Sequence, residues 1–271
     1  MGKVWDALKK HEDEQSQKQA PAKSEAATEQ PPPPPEQKES VTTAACFNGK
    51  GYPPILVAYQ DPGGIFAEQY RSLRTNVLTK PQQKSCCLLI TSAEAREGKT
   101  VTTLNLAFVL AELPDIRVVV VDGDLRKMEL TTQLRVHKTP GLVDFLRGSN
   151  TLKDVIQPTL CPNLDVIASG VAHRSELGEI LSRISTSKLI SDLRRQYDCV
   201  LIDTPPVSGV SDTGVWGRAV GEALMIVRMN KTNRESVHRA VGLLRAADVK
   251  ILGLFLTHQK SYVPKYLYRY Y

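Results

Sequence analysis

The sequence predicts an α/β fold in which helices cover both faces of a mostly parallel sheet. Three observations carry the expectation. Short apolar runs recur at residues 86–90, 118–122, 164–168, 199–203, 223–228 and 250–257, and helical patterns separate most of them. Two of these runs end in carboxylates, Val121-Asp122-Gly123-Asp124 and Leu201-Ile202-Asp203. The first run leads directly into a loop closing on Gly98-Lys99-Thr100, with a helical pattern after it. Strands that alternate with helices form parallel βαβ units with right-handed crossovers, and strands buried on both faces read as continuous apolar runs.

Taken in order, residues 1–54 form an arm in front of the domain. The first 14 residues open amphipathically, with Val4, Trp5 and Leu8 on one side. That pattern suits a short helix touching a partner or membrane, and equally a segment without fixed structure. A tract of Gln, Ala, Lys, Glu and Ser follows, broken by Pro31 to Pro35. It has too little apolar surface to offset its ordering entropy, and the prolines suit a stiff linker or a docking site for a proline-reading partner. The domain is expected over residues 55–257 and a tail over 258–271.

Within the domain, residues 65–78 have a helical pattern carrying Glu68, Arg71 and Arg74. Glu68 and Arg71 lie one turn apart and can pair on what reads as a solvated face. Further helices are expected at 101–113, 141–147, 175–181, 187–197 and 234–246. Thr204-Pro205-Pro206 stops the strand at 199–203 and turns the chain.

Strand, tight loop, Gly-Lys-Thr and helix together are the context of a phosphate-binding loop, which narrows the fold class to a P-loop NTPase-like sheet. Backbone N–H groups at the helix N-terminus point at an anion, the helix dipole favours it, and Lys99 adds a full positive charge. Thr100 offers its hydroxyl to a Mg²⁺ that bridges the phosphates. Ala93 stands where the motif usually begins with glycine, and Arg96 where related loops carry a small residue. In a parallel sheet the C-terminal ends of the strands converge on a ligand crevice, so Asp122, Asp124 and Asp203 meet there. Three carboxylates beside a triphosphate would repel it unless a divalent cation lay between them, so the constellation implies Mg²⁺-nucleotide.

Composition excludes several alternatives. The 35 Lys+Arg against 29 Asp+Glu give a net charge of +6, compatible with phosphate or anionic lipid and too small to argue nucleic acid. No apolar run reaches transmembrane length, no signal peptide opens the chain, and Asp6 occupies the position where a myristoylation motif needs Ser or Thr. The cysteines at 46, 86, 87, 161 and 199 lack C-x-x-C spacing and read as reduced thiols with no metal site. Neither G-x-G-x-x-G nor H-R-D nor D-F-G occurs, so no eukaryotic-type kinase signature is present. Five of the nine tyrosines fall in the last ten residues: Tyr262, Tyr266, Tyr268, Tyr270 and Tyr271. Such a tail suits a terminal strand docked on the sheet, an aromatic-basic segment stacking on nucleic acid, or a phosphate acceptor.

The assembled motifs resemble the bacterial tyrosine kinases (BY-kinases) of capsular and exopolysaccharide synthesis, in the form that is a separate cytoplasmic subunit. The resemblance covers residues 60–271 and rests on Glu68-x-x-Arg71-x-x-Arg74, Gly98-Lys99-Thr100, Asp122-x-Asp124-x-Arg126, Leu201-Ile202-Asp203-Thr204-Pro205-Pro206 and the tyrosine cluster. It implies a protein-tyrosine autokinase that uses ATP and Mg²⁺. By the resemblance Lys99 holds the β/γ-phosphates, with Glu97, Gly98, Val101 and Arg126 also at the nucleotide. Thr100, Asp124 and Asp203 serve the metal, Asp122 is the base for the tyrosine hydroxyl, and the five tail tyrosines are the acceptors. The resemblance turns Glu68, Arg71 and Arg74 from a solvated face into the contact between subunits of a ring. It also implies the cytoplasmic segment of a membrane polysaccharide co-polymerase as adaptor and activator, a cognate phosphotyrosine phosphatase, and no nucleic acid. The expected location is the cytoplasm, at the inner face of the membrane through that adaptor. Thr257 occupies a position where family members commonly carry Asn against the base, and residues 170–175 lack the expected prolines.

Two rival readings share the fold. A ParA/MinD-type nucleotide switch carries an extra lysine five residues before the loop lysine, where this chain has Glu94. A pseudo-kinase that binds nucleotide without turnover is the other, prompted by Arg96.

Overall fold

The computed structural model describes residues 51–79, 86–182, 185–209 and 211–259. The expected arm up to residue 50 and the tail from residue 260, with all five of its tyrosines, lie outside the described residues. In chain order the elements are α1 (Val57–Gln60), α2 (Ile65–Leu78), β1 (Cys86–Ser92), α3 (Lys99–Ala111), β2 (Val118–Asp122), α4 (Glu129–Leu134) and α5 (Leu142–Arg147). Then come α6 (Leu152–Val155), β3 (Ile156–Pro158), β4 (Leu164–Ile167), α7 (Leu177–Ser182), α8 (Ser185–Gln196) and β5 (Cys199–Asp203). The last four are α9 (Asp212–Val220), β6 (Glu222–Arg228), α10 (Arg234–Ala246) and β7 (Lys250–Thr257).

The seven strands form one sheet in the order β3-β4-β2-β5-β1-β6-β7. Every neighbouring pair is parallel except β3 with β4 at one edge. β2 and β5 lie centrally and are buried along their whole length, which is why both read as unbroken apolar runs. Alternate residues point to opposite faces. Leu88, Ile90, Val118, Val120 and Leu201 pack under α1 to α4, with Leu104 and Phe108 of α3 among their partners. Leu89, Val119, Val121, Val200 and Ile202 pack on the other side, against residues of α5 and α7 to α10.

Burial begins upstream of the expected domain start. Tyr52 is buried and its ring lies 5.5 Å from Phe108, which also meets Tyr59 at 5.3 Å. Five short elements escape a periodicity reading, α1, α4, α6, β3 and α9, because few turns leave little pattern to count. In α9 the cause is also chemical, since Gly214 and Gly217 lower its helix propensity. Gly217 is required there: a Cβ would lie 2.6 Å from Val249 Cγ2, so the helix passes close over its neighbours. Among the described residues no helix is long and apolar enough to cross a membrane.

Candidate active site

The turn between β1 and α3 contains two residues of positive φ, Arg96 at 63° and Gly98 at 94°. Glycine adopts this region freely, whereas a bulky side chain such as Arg96 costs about 1 kcal/mol there. Because Gly98 completes the turn, Lys99 and Thr100 already belong to the first turn of α3, two residues before the expected start. Both are almost fully buried.

Glu97 lies between the two left-handed residues, 1% exposed. Its carboxylate accepts hydrogen bonds from the backbone N–H of Glu94 at 2.7 Å, the N–H of Arg228 at 3.3 Å, and the Thr232 hydroxyl. Its carbonyl accepts from the Thr257 hydroxyl at 2.7 Å. The loop is thus tied to the ends of β6 and β7. With its carboxylate committed to these donors, Glu97 has only its backbone to offer a nucleotide. Glu97→Ala leaves three donors without this acceptor, at about 1–3 kcal/mol for each that stays buried. Nucleotide affinity, read by titration with a fluorescent ADP, is expected to fall about tenfold, whereas unchanged affinity would show that the loop holds its shape without this lock.

The carboxylates converge from neighbouring strands. Asp122 and Asp203 are Cα partners at the C-terminal ends of β2 and β5. Asp203 Oδ2 accepts from the Thr100 hydroxyl at 2.6 Å, and the Thr103 hydroxyl lies 3.5 Å from Oδ1. Asp122 Oδ2 accepts from the Thr131 N–H at 2.9 Å and the Thr131 hydroxyl at 2.6 Å. Its Oδ1 is buried with no partner. Asp124, 4% exposed, accepts from the Lys127 N–H at 3.3 Å. Burial pushes the Asp203 carboxyl up to about 7, against the pull of Lys99 and helped by the Asp122 charge. Burial likewise pushes Asp122 up to about 6, and Asp124 above the ordinary carboxylate value.

These donors fit Mg²⁺ brought in with a nucleotide. Among the described residues no group of three or more His, Cys, Asp and Glu could hold a metal unaided. Mg²⁺ usually takes one or two carboxylates and completes its shell with waters and substrate phosphates. The Thr100 hydroxyl gives its hydrogen to Asp203 and so keeps lone pairs for a cation.

Arg126 is partly exposed and its Nε lies 3.1 Å from Asp212 Oδ2, with Nη2 3.5 Å from Oδ1. Val101 follows Thr100 and is half-buried. Arg71 and Arg74 share α2 with Glu68 and close on one carboxylate, Glu112, which carries no sequence motif. Glu112, just past α3, takes Arg71 at 2.6 and 2.9 Å and Arg74 at 2.9 Å, while Arg71 also pairs with Glu68. A cavity of about 530 Å³ opens over the loop, lined among others by Ile55, Tyr70, Arg96, Lys99, Thr257 and His258. That volume is in the range of small-molecule sites. Thr131, Asp212 and Glu112 carry no local sequence signal: Thr131 meets Asp122 across the turn after β2, and Asp212 and Glu112 meet partners far away along the chain.

Comparison with known proteins gives a consistent picture. A family model described as an AAA domain matches residues 91–215. The tyrosine-protein kinase YwqD of Bacillus subtilis is 30% identical over 206 residues, which is 76% of this chain and 86% of that protein. The solved kinase domain of the Escherichia coli tyrosine kinase ETK superposes with a TM-score of 0.70 at 31% identity, covering 78% of this chain and 84% of that one. The chimerical protein CapA2B2 superposes at 0.72 with 26% identity, covering 81% of this chain and all of its own. The septum site-determining protein MinD of Pyrococcus horikoshii, complexed with Mg-ADP, superposes at 0.56 with 26% identity over 67% of this chain and 74% of its own. The fold is therefore the P-loop NTPase-like one expected.

Proposed function

The chain belongs to the family of bacterial tyrosine-protein kinases, and on that premise we propose that it transfers the γ-phosphoryl group of Mg-ATP to tyrosines of its own C-terminal cluster. The observation that carries the reading is the convergence of Lys99, Thr100, Asp122 and Asp203 at one end of β1, β2 and β5, with Lys99 and Thr100 lining a cavity of nucleotide size. Phosphoryl transfer asks a protein mainly to position the reactants and to neutralise charge. Lys99 and the N–H groups at the start of α3 hold the β/γ-phosphates, with Gly98 and the Glu97 backbone shaping the turn. Thr100, Asp124 and Asp203 hold Mg²⁺, which when bound supplies charge neutralisation along the phosphates. Asp122 accepts the tyrosine proton at Oδ1, the oxygen that no protein donor uses. A carboxyl poised at about 6 is suited to take up a proton near neutral pH. Arg126, held by Asp212 shortly after the end of β2, is a further nucleotide contact in this reading.

The acceptors are Tyr262, Tyr266, Tyr268, Tyr270 and Tyr271, which act between subunits of a ring built on Glu68, Arg71 and Arg74. In the single chain both arginines are ion-paired with Glu112, so a ring contact through them would share or displace that pairing. That the CapA2B2 neighbour is a chimera supports a partner chain; in this reading the partner's cytoplasmic segment activates the kinase and holds it at the membrane. A phosphatase that resets the tail completes the cycle, in control of exopolysaccharide or capsule synthesis. Changing the five tail tyrosines to Phe is expected to remove at least about nine-tenths of the phosphotyrosine formed with Mg-ATP, since a substrate without the hydroxyl has no nucleophile. Phosphotyrosine immunodetection on the two proteins side by side reads this out, and equal signal from both would place the acceptors elsewhere.

A further inference from the structure

One carboxylate of the site has no part in the mechanism above. Glu129 opens α4 and lines the cavity together with Lys99 and Thr100. Its Oε2 lies 3.5 Å from the Thr100 hydroxyl oxygen, and its Oε1 lies 3.8 Å from Lys127 Nζ. The place of α4 is fixed two residues further on, where the Thr131 N–H and hydroxyl both donate to Asp122 Oδ2. Glu129 therefore stands on a helix anchored at the carboxylate cluster, with its own side chain 53% exposed.

Two carboxylates thus approach the Thr100 hydroxyl, the buried Asp203 at 2.6 Å and the exposed Glu129 at 3.5 Å. A hydroxyl has one hydrogen to donate, and the shorter contact takes it. Glu129 Oε2 is left looking onto the lone pairs of Thr100 with no proton between them. Lys127 sits at the other oxygen, and an exposed pair that wide contributes little. The lone pairs of Thr100 are the ones a metal uses, so Glu129 faces the metal side of the hydroxyl. Mg²⁺ takes one or two carboxylates and keeps several waters. With Asp124 and Asp203 filling the carboxylate share, a water of the shell is what remains for Glu129. We propose that Glu129 accepts a hydrogen bond from a water on the Mg²⁺ held at Thr100, and so positions the metal against the nucleotide phosphates. It acts through that water and is a positioning residue. The proposal rests on the Mg-nucleotide reading above and adds a residue to that same site.

The test reads metal dependence rather than turnover. Phosphatase-treated full-length protein is titrated with a fluorescent ADP, first in EDTA and then at rising Mg²⁺. Glu129→Gln is expected to leave the affinity in EDTA undiminished, because it only removes a negative charge beside the phosphates. The Mg²⁺ concentration giving half of the metal-dependent gain is expected to rise at least about tenfold, the usual cost of losing a group that holds a metal's ligands. Lys127→Met removes only the partner of Oε1 and is expected to keep the parent's Mg²⁺ requirement. A Glu129→Gln variant that needs no more Mg²⁺ than the parent overturns the proposal. Weaker binding of ADP by that variant in EDTA also overturns it, because Glu129 would then shape the loop instead. An equal rise in Lys127→Met does the same, since the ion pair would then carry the effect. A parent whose ADP affinity ignores Mg²⁺ overturns the metal reading itself, and the proposal with it.

Discussion

Replacing Lys99 with alanine is expected to lower phosphotyrosine formation with Mg-ATP by a factor of about 100 or more, the usual cost of losing a preorganised group aimed at developing charge. Lys99 is 5% exposed at the first turn of α3, so its ammonium acts where water screens little. In the free protein its charge also pulls down the Asp124 and Asp203 carboxyls. The alanine variant therefore loses the phosphate ligand and leaves two buried carboxylates without their cation. Both effects act against nucleotide binding, so titration with fluorescent ADP should show weaker affinity alongside the lost turnover. Full turnover in Lys99→Ala would remove the phosphate loop from the account.

Asp203→Asn is expected to separate stability from activity. Asp203 is fully buried, and its carboxyl is pushed up to about 7 from 3.8. A carboxyl raised in the folded state contributes stability that is complete below its unfolded value and disappears as pH rises through the folded one. The nucleotide-free protein should therefore lose stability from this group between about pH 4 and pH 7 and stay penalised at pH 8. Asparagine carries no charge and still accepts from the Thr100 hydroxyl. At pH 8 the variant is expected to melt a few degrees higher than the parent, with the gain shrinking toward pH 5, while phosphorylation falls at least about 100-fold for want of a metal ligand. A variant that melts lower at pH 8 would contradict the reading of Asp203 as a buried charge kept for function.

The central sheet and its phosphate loop were legible because their physics is local. Val118 to Val121 can be nothing but a strand buried on both faces, and the Gly98-Lys99-Thr100 turn carries its own chemistry. The first turn of α3 was placed two residues late because Lys99 and Thr100 look like loop until the left-handed φ of Gly98 is known. The helix α9 was hidden by Gly214 and Gly217, the second of which tertiary packing demands. The site's supporting contacts were illegible for a different reason. Asp212 on Arg126 and Glu112 on Arg71 and Arg74 join residues far apart along the chain, and Thr131 reaches Asp122 only because the turn after β2 folds back on the strand end. Glu97 belongs to the loop in sequence, yet its carboxylate bonds across to β6 and the segment after it, which no spacing announces.

The likeness to MinD is one of fold, and Glu94 marks a difference in sequence. A switch of that type needs a lysine at this position to reach across its dimer, and a carboxylate there has the opposite charge. Arg96, which prompted the pseudo-kinase reading, takes the left-handed conformation the turn requires and stands exposed at the cavity mouth. The loop therefore accommodates it without surrendering Lys99 or Thr100.

The most direct test of self-phosphorylation is the intact mass of phosphatase-treated full-length protein before and after incubation with Mg-ATP. The incubation is run alone and with the cytoplasmic segment of a membrane adaptor. The account predicts mass gains of whole phosphoryl groups that map to residues 262–271 and vanish in Lys99→Ala. Nucleotide bound at the loop with no mass gain, even with the adaptor segment present, would contradict it and leave a binder that does not transfer.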